Sequence, residues 1–372
     1  MKLHLMDPRH YSRVEPLFHE LAGQHLFCGG VLAGKYPGQI VVDDADRGRS
    51  ALLIKGGMWC YLGGDAGNGA FNRALSEALA AKQWVGEDAW GLLFINPTDG
   101  WREVLNNLIP ERRPIVTPRK VYVADAEHFN APPPLPGGFS LHLMDESLRE
   151  RVDGELPEDV ANVLGLRAGS DDPDRAACGY VAVRERACAA WAMVDCIVGD
   201  HGEIGLFTAD AYRRRGLAAA VSGATIRYGL DHGLSAIHWD AVTYNAPSIR
   251  LAERHGLRFV LAYDQALIVY AKGSYLANVA WDHLDKGEFR ATLEVCEGLL
   301  AFKSDNQYGH YLAGAAWAGL GDKEKALRYL NEAVDHGWSD VGLLENTPSL
   351  ESLRGAPEWE ALMARMKDND NP

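Results

Sequence analysis

The stretch Glu203-Ile-Gly-Leu-Phe-Thr-Ala-Asp-Ala-Tyr-Arg-Arg-Arg-Gly-Leu-Ala218 puts a carboxylate ten residues ahead of three arginines and a glycine that opens an apolar helical pattern. At the mouth of a helix the first-turn N–H groups have no partner and the dipole favours negative charge. Arg213, Arg214, Arg215, Gly216, Leu217, Ala218 and Ala219 are therefore a candidate cradle for an anionic group such as a phosphate. Gly216 lets a ligand approach the main chain closely, and the arginines add charge-assisted hydrogen bonds. Without a ligand, the same residues read as an ordinary basic helix N-terminus. Glu203 is a carboxylate that could accept a proton. Its plain alternative is a solvated or paired carboxylate at a strand start. Asp195 and Asp240 are weaker candidates for the same role and read first as structural carboxylates.

The elements that must position these residues follow from hydrophobic periodicity and turn residues. After residue 138 a strand and helices are expected, then strands at Gly179 to Arg184, Ala187 to Val198 and Glu203 to Thr208, joined as an antiparallel meander by turns at 185–186 and 199–202. A long helix from about Arg215 to His232 comes next, then a strand at Ala236 to Ala241 and a helix at Ala246 to His255. Closing strands at Arg258 to Val260 and Gln265 to Tyr270 complete a mixed α/β sheet of about seven strands, a count taken from these apolar runs. Upstream, the runs at 38–42, 50–54 and 90–95 read as buried strands, and Ala70 to Lys82 and Asp99 to Leu108 read as helices, an α+β pattern. Between the two regions, the Pro/Gly-rich segment 130–138 reads as a linker.

From Gly273 onward the strand pattern vanishes. Tyr311 follows Ala277, Gly314 follows Ala280, Gly321-Asp322 follows Gly287-Glu288 and Leu327 follows Leu293, an offset of 34 residues. Helix pairs with that period resemble tetratricopeptide repeats. The tail, with Trp338, Leu350, Leu353 and Trp359, is expected to close the open end of the pairs or pack back on the sheet. The expected organisation is thus 1–129, a linker at 130–138, 139–272, and a helical module at 273–372.

Composition narrows the function classes. The chain has 372 residues, enough for two or three domains, and 47% hydrophobic against 24% charged residues, as expected of a folded globular protein. The net charge is −14, distributed as −1, −5 and −8 over residues 1–129, 130–272 and 273–372. Nucleic-acid binding needs a basic stripe. The three arginines at 213–215 suit a small phosphorylated ligand better than a duplex. Six scattered cysteines form no C-x-x-C pair, and the 13 histidines show no paired ligand spacing, so reduced thiols and no metal site are expected. The N-terminal residues lack the apolar core of a secretion signal and no window is long enough to span a bilayer, which reads as a cytoplasmic protein with no membrane partner. The glycine-rich loop Gly63 to Gly69 lacks a lysine and carries Asp65, so it reads as a turn and not as a phosphate loop.

Arg213-Arg214-Arg215-Gly216-Leu217-Ala218 matches the Q/R-x-x-G-x-G/A acyl-CoA motif that lies between the fourth strand and third helix of the GNAT acetyltransferase superfamily, and residues 138–272 resemble that superfamily. Asn245-x-x-Ser248 followed by Glu253-Arg254-His255-Gly256-Leu257 is similar to its second signature. The first 129 residues resemble a degenerate GNAT-like half, as in two-lobed members. The resemblance implies a mixed, mostly antiparallel GNAT sheet flanked by helices and an N-acetyltransferase that takes acetyl-CoA as co-substrate. It also implies a primary-amine acceptor, a small molecule or a protein. By the same resemblance, the pantetheine arm runs along Leu206, Phe207 and Thr208, the pyrophosphate sits on the amides from Arg214 to Ala219, and Asn245 and Ser248 touch the arm or its waters. Glu203 stands where relatives place a base. The tyrosine that protonates the departing thiolate in many relatives is Ala252 here. Either the thiolate leaves unaided, or Tyr244 or Ser248 serves, or catalysis is lost. In that last case the chain is a non-catalytic acyl-CoA-binding or adaptor protein whose helix pairs bind a partner.

Overall fold

A computed structural model describes residues 2–46, 48–84, 92–109, 112–171 and 176–369. The chain divides into two compact units, Met1–Ala89 with Leu93–Leu267, and Trp90–Leu92 with Ile268–Pro372. The segment 130–138 lies inside the first unit.

The strands are β1 (His4–Leu5), β2 (Gln39–Val42), β3 (Ser50–Lys55), β4 (Trp59–Gly64), β5 (Leu92–Pro97), β6 (Ile115–Ala124), β7 (Ser140–Leu143), β8 (Cys178–Arg184), β9 (Ala187–Val198), β10 (His201–Thr208), β11 (Ala236–Val242) and β12 (Arg258–Val269). They form one sheet in the order β1-β2-β3-β4-β5-β12-β6-β11-β10-β9-β8-β7. Read inward from its two edges, the order is the same twice over, except that the final strand of each half has crossed into the other. Thus β6 lies between β12 and β11, antiparallel to both. Antiparallel pairing predominates, and the parallel pairs β4–β5 and β10–β11 occupy matching places in the two halves.

Local sequence explains most of these elements. Glu185 and Arg186 both sit in the left-handed region, φ 49° and 66°, which gives the β8–β9 hairpin a turn whose twist matches its strands. The two closing strands expected after Arg258 are a single strand, β12, kinked by an irregularity between Phe259 and Leu261. Three strands escaped the periodicity reading, the two-residue β1 among them. β4 ends in glycines, and β6 contains Pro118, which the ladder tolerates because it lies just past the β11 register that ends at Arg119, its carbonyl still accepting from Thr243 N at 2.9 Å.

The helices of the first unit are α1 (His19–Gln24), α2 (Leu26–Leu32), α3 (Gly69–Ala80), α4 (Arg102–Leu108), α5 (Glu158–Ala168), α6 (Leu217–Asp231) and α7 (Ala246–Arg254). Helix α6 is rich in small residues and lies close against the sheet, burying Leu217, Val221 and Ile226 with Trp239, Ile237 and Ala192. A Cβ on Gly229 would stand 2.9 Å from the Ile237 side chain. Thr225 ties the helix down, donating to Ala192 O at 3.0 Å and accepting from Tyr180 N at 3.2 Å. This packing fixes the N-terminus of α6, and Gly216 with it.

In the second unit, α8 (Lys272–Asp285), α9 (Phe289–Phe302), α10 (Gln307–Gly319) and α11 (Lys323–Asp335) form two helix pairs, followed by α12 (Val341–Asn346) and α13 (Pro357–Asn369). Gly287 and Gly321, 34 residues apart, make the matching left-handed turns, φ 73° and 84°. The Tyr311 ring stacks on Trp338 at 4.2 Å, and Leu350, Leu353 and Trp359 are buried in the same core, so the tail closes on the helix pairs.

Candidate active site

Strand β10 is zipped to β9 along its whole length, from His201↔Val198 to Thr208↔Ala190. On its other side, the parallel pairing with β11 covers His201↔Ala236, Gly202↔Ile237 and Glu203↔His238, and among the described residues goes no further. Beyond Glu203 the two strands part. The main chain from Ile204 to Phe207 thereby keeps a free edge, the kind of surface to which an extended ligand adds like another strand, while the Thr208 carbonyl accepts from Arg213 Nε at 3.4 Å. A Cβ on Gly205 would meet nothing within 4 Å. Phe207, 43% exposed, lies against the Trp191 ring at 4.6 Å and lines this edge with Leu206 and Thr208. A bulge between Glu203 and Ile204 leaves Asp195 unmatched between Cys196 and Val194 on β9. Base candidate, bulge and split coincide.

The mouth of α6 lies past the end of the same strand. Gly216 is its N-cap in the left-handed region, φ 82°, and no side chain caps the first turn. Leu217 and Ala219 are buried, so they present only main-chain N–H groups. The nearest atom to a Cβ on Gly216 would be Pro136 Cγ at 3.8 Å, so the approach is open. The arginines differ in what they do: Arg213 binds Asp210 at 2.7 Å, Arg214 takes a left-handed turn at φ 60°, and Arg215 lies against the Tyr212 ring, 5.8 Å from its centroid.

Asn245 and Ser248 have structural partners. The Asn245 side chain caps α7 by accepting from Ser248 N at 3.2 Å, and Ser248 Oγ accepts from the buried Trp239 indole at 3.0 Å, locking α7 to β11. Ala252 is fully buried, with no hydroxyl to offer. Tyr244 is 56% exposed.

Around half-buried Glu203 the sheet gathers charged side chains. Asp240 on β11 accepts from Arg119 Nε at 2.9 Å and from the Tyr263 hydroxyl at 2.5 Å. Arg119 also donates to Gln265 Oε1 at 3.3 Å, and Gln265 donates to Asn96 Oδ1 at 3.0 Å, both amides being buried. Lys55 caps the Phe27 ring at 3.3 Å, and burial lowers its pKa against the pull of Asp195 and Glu203. The His25 ring lies 5.5 Å from Tyr61 and 4.7 Å from Tyr263, and burial pushes it down to about 4, so it is neutral at physiological pH. Burial first, then the charges of Asp240 and Asp195, push Glu203 up to about 8, against Lys55 and Arg119. A carboxyl held that high is a far stronger base, once ionised, than an ordinary carboxylate.

Arg119, Lys55 and Tyr263 went unnoticed in the sequence. Arg119 lies in the polar run Thr117-Pro118-Arg119-Lys120 and Lys55 at the end of an apolar strand, so neither stands out. Among the described residues no group of three or more His, Cys, Asp or Glu is placed to hold a metal ion, and no helix is long and apolar enough to cross a membrane. None of the six cysteines is in a disulfide, and all but half-buried Cys188 are buried.

The family model of GNAT acetyltransferases matches residues 15–265. No curated protein matches the sequence. Among solved structures, a GCN5-related N-acetyltransferase-like protein from Streptococcus suis shares 23% identity, covering 70% of this chain and 98% of its own, with a TM-score of 0.51. A tandem GNAT protein from the clavulanic acid biosynthesis pathway shares 16% identity over 72% of this chain and 97% of its own, with a TM-score of 0.48. A GCN5-related N-acetyltransferase from Sphaerobacter thermophilus shares 14% over 71% and 95%, with a TM-score of 0.47.

Proposed function

The chain belongs to the GNAT acetyltransferase family, whose enzymes use acetyl-CoA, and from that premise we propose that it moves an acetyl group to a primary amine by direct attack, with Glu203 as the base. The observation that carries this reading is the parting of β10 and β11 at Glu203, which sets a strongly basic carboxylate where an extended ligand first meets the strand edge.

The residues present fit acetyl-CoA. The strand edge at Leu206, Phe207 and Thr208, unpaired by β11, suits the amide-bearing pantetheine arm, and the uncapped first turn of α6 suits the pyrophosphate, with Arg213, Arg214 and Arg215 supplying positive charge. Asn245 and Ser248 act on this site by fixing the end of β11. Glu203 takes the proton of the acceptor ammonium; the amine nitrogen then forms its bond to the acetyl carbonyl carbon as the carbon–sulfur bond breaks. The thiolate leaves without an acid from α7, which is tolerable because a thiol with a pKa of about 8.5 is a good leaving group near neutral pH. We read residues 1–129 and 139–272, joined by 130–138, as two lobes of one catalytic body, and 273–372 as a tetratricopeptide-like module where a protein partner docks.

The experiment is to incubate the purified chain with acetyl-CoA and a panel of primary amines while following free thiol. With an accepted amine, log kcat/KM should rise with pH through a midpoint near the pKa of about 8 held by Glu203, and Glu203→Gln should lose roughly 10²–10⁴-fold, with that midpoint gone and the loss shrinking at high pH where the amine is already free. A Glu203→Gln profile like that of the wild type would move the base elsewhere. Buried Ala252 favours a second reading, an acyl-CoA-binding protein without turnover. Tight coenzyme A binding with no thiol release from any amine would select it.

A further inference from the structure

Every carboxylate around Glu203 comes from the chain after residue 130, and both cations, Lys55 and Arg119, come from the chain before it. Of these groups Asp240 is held most firmly. One of its oxygens takes Arg119 Nε and the other takes the Tyr263 hydroxyl. Arg119 is steadied in turn by Gln265, and Gln265 by Asn96, so the carboxylate is fixed from β6, β12 and β5 at once. Stability alone does not call for such an arrangement, since a buried ion pair is often no better than apolar side chains of the same volume.

Building on the assignment of Glu203 as the base, we propose that Asp240 is its positioning residue: two residues beyond His238, with which Glu203 pairs in parallel register, it lies on the same face of the sheet as Glu203, and its clamp of Arg119 and Tyr263 holds its carboxylate beside that base. The groups that act on Glu203 from the surrounding strands are Lys55 on β3, Tyr61 on β4, Arg119 on β6, Asp195 and Cys196 on β9, Asp240 on β11 and Tyr263 on β12. Burial raises the proton affinity of Glu203 most; among the charges, Asp240 acts on it most strongly and Arg119 opposes it less. The clamp therefore leaves a net negative influence instead of cancelling it. An unclamped carboxylate would be free to swing away.

The test needs no acceptor. In the full chain, with glutamate labelled by carbon-13 at the side-chain carboxyl, the Glu203 signal is identified by its loss in Glu203→Gln and followed by NMR against pH. In Asp240→Asn the midpoint should fall by about one pH unit, and Asp240→Glu, which keeps the charge, should bring it back toward the wild type. A midpoint unmoved in Asp240→Asn overturns the proposal. Because that variant leaves Arg119 half-buried without its carboxylate, Arg119→Met with Asp240→Asn replaces it if the single change does not fold. There the midpoint should still fall, by less, and a rise or no change overturns the proposal equally. Full turnover in Glu203→Gln would defeat the base assignment and leave this titration as it stands, so the two failures are told apart.

Discussion

Replacing Glu203 by Gln should stabilise the fold at alkaline pH and leave it nearly unchanged in acid. The unfolded chain titrates Glu203 near its ordinary 4.5, whereas burial in the native state pushes it up to about 8. Below 4.5 both states hold the proton, and the neutral carboxyl is buried at no ionic cost. Between the two values the native state retains a proton that the unfolded state has released, so stability falls as pH rises through that window. At about 1.4 kcal/mol for each pH unit of separation, the wild type loses at most ~5 kcal/mol across the window, a ceiling that partial access to solvent brings down. Glutamine carries no such proton. Urea unfolding of both proteins at a series of pH values from about 4 to 9, followed by far-UV circular dichroism, gives the stability difference as a function of pH. That difference should grow steadily in favour of Glu203→Gln and level off above pH 8, while the shared titrations of other groups largely cancel. A difference that stays flat, or that turns against the variant at high pH, would refute the placement of Glu203 in a desolvated, acid-rich cluster.

The other outcomes bear on the ligand site. Gly216→Glu should fold, since its Cβ meets open space, at a cost of about 1–2 kcal/mol for the left-handed backbone. The new carboxylate would face the pyrophosphate, and calorimetry should show coenzyme A affinity at least ~tenfold weaker; unchanged affinity would remove the helix mouth from the site. Ser248→Ala leaves the buried Trp239 N–H without its acceptor, so it should lower stability by about 1–3 kcal/mol and leave coenzyme A affinity within about twofold. Lost affinity at full stability would instead put Ser248 against the ligand. Titration calorimetry should also find one coenzyme A per chain, because the first half closes its matching slot: β4 pairs with β5 from Trp59 to Leu62, and Gly63 and Gly64 are backed by the carbonyls of Leu17 and Arg49. Two equivalents would show that this slot opens.

The strand–helix unit from β8 to α7 was legible because its signals are local. Apolar alternation, hairpin turns and a glycine before an apolar helix each lie within a few residues of one another, and Glu203 and Gly216 could be read straight off that pattern. The charged cluster was not legible in this way. Arg119 meets Asp240 across 121 residues and Asn96 meets Gln265 across 169, and no local rule links a polar residue in one strand to a partner that far along the chain. Asn245 and Ser248 teach the complementary lesson. Residues that match a family signature can serve it through a cap and a tryptophan hydrogen bond, contacts that the spacing alone does not reveal.

The crossing of β6 into the second half of the sheet governs how the polypeptide can be assembled. During synthesis β6 leaves the ribosome more than a hundred residues ahead of β11 and β12, the two strands it will lie between. Until they arrive, its ladder groups are exposed on both sides, so the nascent chain must wait with an incomplete sheet. Pairings this distant in sequence close slowly, because the intervening loop has to be ordered before any contact repays it. A ribosome-bound chain truncated near residue 230 should therefore be an efficient chaperone client and prone to aggregate, and release from that state should come abruptly once β12 has been made. The same crossing means that gene fragments encoding either half carry a strand that belongs to the other, so recombination between relatives can exchange the halves only together.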